Sequence, residues 1–233
     1  MRRGYRQFCA ISRALDLLGQ RWTLLVVREL ALRGPLTAAA IARGLPDVPM
    51  NQLAERLARL EAEDLVTVSE EGTTRVYDLT AAGHGVEDVL DALAGFGLEH
   101  LDAEADPGET VLPHVLMAQL ELRFDAARAA DEDFSGRFEL EVADPDELWS
   151  VEPGAPAPGR YALIAGPDGL RARAGACLDA DARLTATVGT CARLVAANPE
   201  AALEVEIEGD RALAERLLDL LGATPAARVA RAA

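Results

Sequence analysis

The spacing of apolar residues changes once along this chain, and that change limits its possible folds more than any other feature. Up to about residue 101, apolar side chains recur every three or four residues, as on amphipathic helices. Beyond residue 109, alternating segments of the half-buried strand type dominate. Residues 102–108, Asp-Ala-Glu-Ala-Asp-Pro-Gly, lie between the two regimes and have the polarity and Pro-Gly ending of a linker. Two domains are therefore expected, residues 1–101 and 109–233. With 233 residues, half of them hydrophobic, the chain can bury two small cores and is too apolar to stay disordered.

In the first region, residues 11–18 put Ile11, Leu15 and Leu18 on one helical face. Thr23 is expected to cap a second helix, residues 24–32, that is apolar nearly all round and ends at Gly34-Pro35. Thr37 caps a short helix over 38–43, closed by Gly44, and residues 45–49 form a turn. A helix over 50–63 turns Leu53, Leu57 and Leu60 to the core. Strands at 65–69 and 74–79 flank Glu70-Glu71-Gly72, and Thr80 caps a last helix reaching about residue 101.

Three helices followed by a two-stranded wing make a winged helix-turn-helix, whose second motif helix enters the major groove. Gln52, Arg56 and Arg59 are expected to share the face opposite the leucines. Asn and Gln can bond adenine bidentately, and Arg can bond guanine or phosphate. The candidate DNA-binding set is Thr37, Arg43, Asn51, Gln52, Arg56, Arg59 and Arg75. The same spacing also fits arginines that only solvate a surface helix.

The second region opens with a helix over 111–130 carrying Leu112, Leu116, Leu120 and Phe124. A strand over 137–142 turns Phe138, Leu140 and Val142 inward and Arg137, Glu139 and Glu141 outward. Residues 148–151 read as a further strand and 153–159 as a Pro/Gly-rich loop. Strands at 161–165 and 170–174 flank the hairpin signal Gly166-Pro167-Asp168-Gly169. Strands at 184–188 and 204–208 precede a helix over 210–221 with Leu213, Leu217 and Leu220 on one face. The fold class expected is α+β, a winged helix-turn-helix followed by a domain with an antiparallel sheet.

All 23 bases are arginine against 39 acids, for a net charge of −16, which argues against a nonspecific nucleic-acid coat or a polybasic membrane binder. No apolar run approaches the roughly 20 residues that span a bilayer. Met1-Arg2-Arg3 has no apolar stretch behind it, so a cytoplasmic protein without a membrane partner is expected. Cys9, Cys177 and Cys191 form no C-x-x-C pair, and the three histidines are scattered, so neither a disulfide framework nor a metal site is expected. Ser12, Ser69, Ser135 and Ser150 lie outside any nucleophile elbow, and Gly83-His84-Gly85 is no nucleotide motif. His84 and Asp88, one turn apart, could share a proton. No cofactor is expected. An apolar chamber with one poised carboxylate could still catalyse a cyclisation or proton transfer.

Several blocks are more specific than their periodicity. Phe8-Cys9, residues 14–23 with Leu18-Gly19-Gln20-Arg21-Trp22, Leu53-Ala54-Glu55-Arg56-Leu57, Leu60-Glu61, and Tyr77-Asp78-Leu79-Thr80 with Gly83 resemble the HxlR-type helix-turn-helix regulators over residues 4–101. The resemblance implies a dimer paired through its terminal helices and bound to a pseudo-palindromic double-stranded operator. It also implies a role for Cys9, since several relatives carry a cysteine there that senses oxidants or electrophiles. Its place just before the first helix, near Arg6 and Arg13, would favour the thiolate, although a half-buried structural cysteine fits the same position.

The charge distribution departs from that family. Residues 1–34 hold seven arginines against Asp16 and Glu29, a net of +5. Residues 35–101 hold Arg43, Arg56, Arg59 and Arg75 against twelve acids, a net of −8, with Glu70-Glu71 at the wing tip. Residues 102–233 carry −13. Each missing phosphate contact lowers affinity for DNA.

Residues 181–188, Leu194-Val195, residues 198–202 and Glu208-Gly209-Asp210 before the last helix resemble the sterol carrier protein 2-like fold. That resemblance implies an apolar chamber for a hydrophobic small molecule, with Leu116, Leu120, Phe124, Trp149 and Leu163 as candidate lining. A filled core is the alternative. Two functions remain open: a dimeric DNA-binding regulator sensing that molecule, or a repurposed helix-turn-helix protein that binds or converts it without DNA.

Overall fold

Two separate sets of leucines, valines and isoleucines are buried in this chain, each around its own elements. The computed structural model describes residues 4–101, 109–143, 159–196, 203–223 and 228–231. The chain divides into units Met1–Leu93 and Ala94–Ala233.

The first unit contains α1 (Ala10–Leu18), α2 (Thr23–Arg33), β1 (Leu36–Thr37), α3 (Ala38–Arg43), α4 (Met50–Ala62), β2 (Val66–Glu71), β3 (Thr74–Leu79) and α5 (Ala81–His84). Helix α6 (Glu87–Leu98) begins in it. Val26, Val27 and Leu30 of α2 pack with Leu53, Leu57 and Leu60 of α4, so the periodic leucines do face the core. Helix α4 stops where Asp64 takes a left-handed φ of 58° and the Leu65 N–H reaches back to the Leu60 carbonyl (2.9 Å).

Two expectations are corrected in this unit, and two features are added. Thr23 is the buried first residue of α2, and Trp22 occupies the cap position at φ 75°. The helix expected from Thr80 to residue 101 is interrupted between α5 and α6, with the Thr80 hydroxyl capping only α5 by accepting from Gly83 N–H (3.0 Å). Strand β1, too short to show in the sequence, adds an antiparallel edge to β3 through Leu36–Tyr77 and Thr37–Val76. Helix α1 leaves much of its apolar face uncovered: Ile11 is 71% exposed and Leu15 44%.

The second unit contains α7 (Pro113–Arg123), α8 (Ala126–Asp131), β4 (Gly136–Ala143), β5 (Arg160–Gly166), β6 (Gly169–Ala174), β7 (Ala182–Thr187), α9 (Val188–Val195), β8 (Leu203–Gly209), α10 (Arg211–Leu220) and β9 (Arg228–Arg231). The helix expected over 111–130 is split, because Phe124 turns to an extended conformation and the Asp125 carboxylate caps α8 at Arg128 N–H (2.9 Å). The sheet runs β6-β5-β4-β7-β8-β9. Leu116 and Leu120 of α7, Val188, Cys191 and Val195 of α9, and Leu217, Leu218 and Leu220 of α10 share one core with Phe138, Leu140, Leu163, Leu184 and Val205 of the strands.

The sheet is mixed, not antiparallel as expected: β4 pairs parallel with β7, and β8 parallel with β9. The reason is a crossover. Residues 175–181 carry the chain from β6, on one side of the β4–β5 pair, to β7 on the other. Two parallel strands cannot be joined by a tight hairpin, so the connection must pass over the sheet. The expected strand at 148–151, most of the loop at 153–159 and the linker 102–108 lie outside the described residues.

Candidate nucleic-acid interface

The helix-turn-helix of α3, the turn and α4 is tied to α2 by a buried ionic cluster. Glu29 of α2 is fully buried. Its carboxylate accepts from Arg28 Nη2 (2.7 Å), Arg28 Nε (3.2 Å) and Arg33 Nη1 (3.1 Å). The same guanidinium groups donate to the carbonyls of Gly44 (3.2 Å) and Ala40 (3.3 Å), at the end and in the middle of α3. A buried charge is tolerated only when paired and hydrogen-bonded, and here the same arginines also bind two carbonyls of α3 and its cap. Two arginines of the basic N-terminal stretch thus serve the interior rather than a phosphate.

The seven candidate DNA-binding residues are not equivalent. Thr37 is half-buried, and its hydroxyl caps α3 by accepting from Ala40 N–H (3.2 Å). Arg43 and Asn51 are exposed, and Gln52 is half-buried. Arg56 and Arg59 do not face away from the leucines as expected. Arg59 Nη2 donates to the Asp16 carbonyl of α1 (2.7 Å), and its Nε is buried. The Arg56 side chain is 11% exposed, with Nη2 3.1 Å from Glu55 Oε1. Helical geometry explains this: at roughly 100° per residue, positions 52, 56 and 59 lie on the flank of the leucine stripe, not opposite it. The spacing itself held that signal.

At the wing, Arg75 Nη2 donates to Glu61 Oε2 of α4 (3.1 Å), and its guanidinium lies 5.4 Å from the Tyr77 ring centre. Glu70, in register with Arg75, is exposed. The block Tyr77-x-Leu79-Thr80-x-x-Gly83 has a geometric basis. Tyr77 and Leu79 are buried, the Thr80 hydroxyl donates to the Asp64 carbonyl (2.6 Å), and a Cβ at Gly83 would collide with the Leu65 carbonyl.

Cys9 is exposed at the N-cap of α1. Its thiol is held below the ordinary cysteine value by the backbone N–H of Ser12, then by the Ser12 side chain and the Ile11 backbone. The helix end, rather than Arg6 and Arg13, lowers it; Arg13 sits 3.9 Å from Asp16. His84 pairs with Glu87 (2.7 Å), not with Asp88.

In the second unit, Leu120 and Leu163 line an apolar void together with Leu140, Leu184, Leu217 and Cys191. The space open to the centre of a water-sized sphere is ≈ 20 Å³, close to the minimum for a single water. Leu116 and Phe124 are buried in the same core without lining that void. Trp149 lies outside the described residues. Burial pushes the Cys191 thiol up to about 12, and burial followed by Cys191 pushes the Tyr161 phenol up to about 12, so both are neutral near pH 7.

The N-terminal part of the chain is similar to known proteins. The HxlR-like helix-turn-helix family model matches residues 17–105. An HTH-type transcriptional regulator of Synechocystis sp. is 34% identical over 100 residues, covering 42% of this chain and 73% of that protein. The HTH-type transcriptional regulator YodB of Bacillus subtilis is 31% identical over 101 residues, covering 42% of this chain and 86% of YodB. The solved reduced form of YodB is 26% identical, covers 44% of this chain and 100% of its own, and has a TM-score of 0.35. For some mycobacterial regulators the span falls to 63% of the relative's length.

Proposed function

The chain belongs to the HxlR-like helix-turn-helix family through residues 17–105, and on that premise we propose that it is a cytoplasmic, dimeric transcriptional regulator that binds double-stranded DNA. The observation that carries this reading is a helix-turn-helix with its second helix exposed along one side, next to a two-stranded wing. Among the described residues no helix is long and apolar enough to cross a membrane. A dimer is supported by apolar side chains that the single chain leaves uncovered: Tyr5, Phe8, Ile11 and Leu15 around α1, and Val89 and Leu93 on α6.

The C-terminal unit is the effector domain in this reading, sterol carrier protein 2-like and selective for a hydrophobic molecule. Its support is the order β7, α9, β8, α10 on an apolar core, with Asp210 capping the last helix at Leu213 N–H (3.0 Å). A void of ≈ 20 Å³ holds no such molecule, so binding must open the core. The effector then acts only as far as it prefers one of two states. Cys9, exposed and with a lowered thiol pKa, is the candidate redox-sensing residue.

A second reading has its own observation. Arg28, Arg33, Arg56 and Arg59 are engaged inside the unit, while Glu55, Glu61 and Glu70 stay exposed, so the helix-turn-helix surface is poor in phosphate contacts. A repurposed protein that binds or converts a small molecule without DNA fits that surface.

Gel shifts of the full-length protein with its own upstream region, over a salt series, separate the two. The regulator reading expects a specific complex that weakens steadily with salt. A folded dimer with no specific complex at low salt overturns it. If Cys9 senses oxidants, Cys9→Ser abolishes the oxidant response of that complex.

A further inference from the structure

The side chains that α4 presents outward differ from the expected arginine pair. Around the helix, the face opposite Leu53, Leu57 and Leu60 holds Asn51, Glu55, Ala58 and Ala62, all exposed. Glu55 is 67% exposed, and one of its oxygens is held by Arg56. Arg56 Nε and Nη1 are buried without a hydrogen-bond partner among the described residues. A guanidinium packed in this way has few rotamers left, so the carboxylate it grips is also held in place.

Resting on the regulator reading, we propose that α4 reads its operator through Asn51 and Glu55, with Arg56 as the residue that positions Glu55. In this motif the N-terminal residues of the second helix reach the base edges, which suits positions 51 and 55. An ionised carboxylate only accepts hydrogen bonds. Guanine and the thymine carbonyl present acceptors and repel it. Adenine offers one amino group beside an acceptor nitrogen. Cytosine offers its N4 amino group with no acceptor beside it, so Glu55 selects cytosine. Asn51 selects adenine by its paired donor and acceptor, and Ala58 leaves room for a thymine methyl.

The same carboxylate repels phosphate whatever the sequence, which lowers nonspecific binding uniformly. Specificity here comes partly from excluding wrong sites, a recognised way to separate partners. A weakly basic helix-turn-helix is therefore compatible with sequence-specific binding, since its discrimination does not depend on a strong phosphate grip.

The test is selection by the full-length protein from synthetic duplexes of about 30 bp with randomised sequence, long enough for two half-sites. The expected motif has a cytosine at one position of each half-site. Glu55→Ala lowers the preference there on the order of tenfold and leaves the other positions unchanged. Glu55→Gln moves the preference from cytosine to adenine. Arg56→Ala weakens that position alone, provided circular dichroism shows the same fold. One motif selected alike by the wild type and both Glu55 variants overturns the inference and leaves the regulator reading intact. A folded protein that selects no motif overturns the regulator reading itself.

Discussion

Glu139 sits under the chain crossover with its polar neighbours in place. It is 2% exposed, and its oxygens accept from Cys177 N–H (2.8 Å) and Arg183 Nε (2.7 Å), with Arg160 3.9 Å away. Burial pushes its carboxyl up, but the Cys177 N–H and the Arg183 and Arg160 guanidinium groups hold it net below the usual carboxylate range. A folded-state pKa below the unfolded value of about 4.3 stabilises the fold above that pH, and the contribution disappears as pH falls through the folded value. Glu139→Gln should therefore cost about 2 kcal/mol at pH 7 and flatten the loss of stability in acid, as read by thermal melts from pH 7 to 3. Gly44 is constrained from outside as well: a Cβ there would overlap the fully buried Glu29 carboxylate. Gly44→Ala should lower the melting transition of the first unit by the equivalent of about 3 kcal/mol, since Glu29 cannot move without losing both arginines.

At the scale of elements, the helices and hairpins follow from local signals, and the departures have local causes too. Thr37 caps the helix it was expected to cap, and Thr80 caps a helix at the expected start though only the short α5, because a hydroxyl and an N–H two or three residues on are all that a cap needs. The break between α5 and α6 was not visible in an apolar pattern that runs through it. The wing is a hairpin as expected, yet its one arginine is drawn back to Glu61, leaving Glu70 outward. Glu70→Arg should tighten DNA binding several-fold at low salt and steepen the salt dependence by about one phosphate contact, measured by fluorescence anisotropy across a salt series. An unchanged slope would place the wing away from the DNA.

For the whole molecule, the two units differ in what they leave uncovered. The second unit turns the apolar sides of its central strands and helices onto one core. The first leaves Ile11 and Leu15, which share one helical face, outside its core, and Phe8 fully exposed before them. If the proposed dimer pairs through α1, Ile11→Asp should convert it to monomers in sedimentation equilibrium and weaken operator binding, because one protein then no longer holds both half-sites at once. The charge of the molecule needs the same correction by position. Part of the +5 of residues 1–34 is engaged within the unit, since Arg28 and Arg33 hold Glu29 and Arg21 lies 4.9 Å from the Trp22 ring centre.

What the sequence determined alone is what neighbours along the chain decide: two regimes of period, the core leucines of α4, the strand alternation of Phe138, Leu140 and Val142, and the HxlR-like blocks. Each depends on contacts within a few residues, or on a pattern that only one burial face can satisfy. The tertiary structure alone decided that β7 lies parallel beside β4, that Glu139 is buried on the sheet's polar side, that Arg59 reaches the Asp16 carbonyl, and that α1 keeps its apolar face outside. Those outcomes depend on partners tens of residues away. A charged or apolar side chain is indifferent to its own neighbours there, and settles according to which distant carbonyl, carboxylate or hydrophobic surface the fold brings within reach.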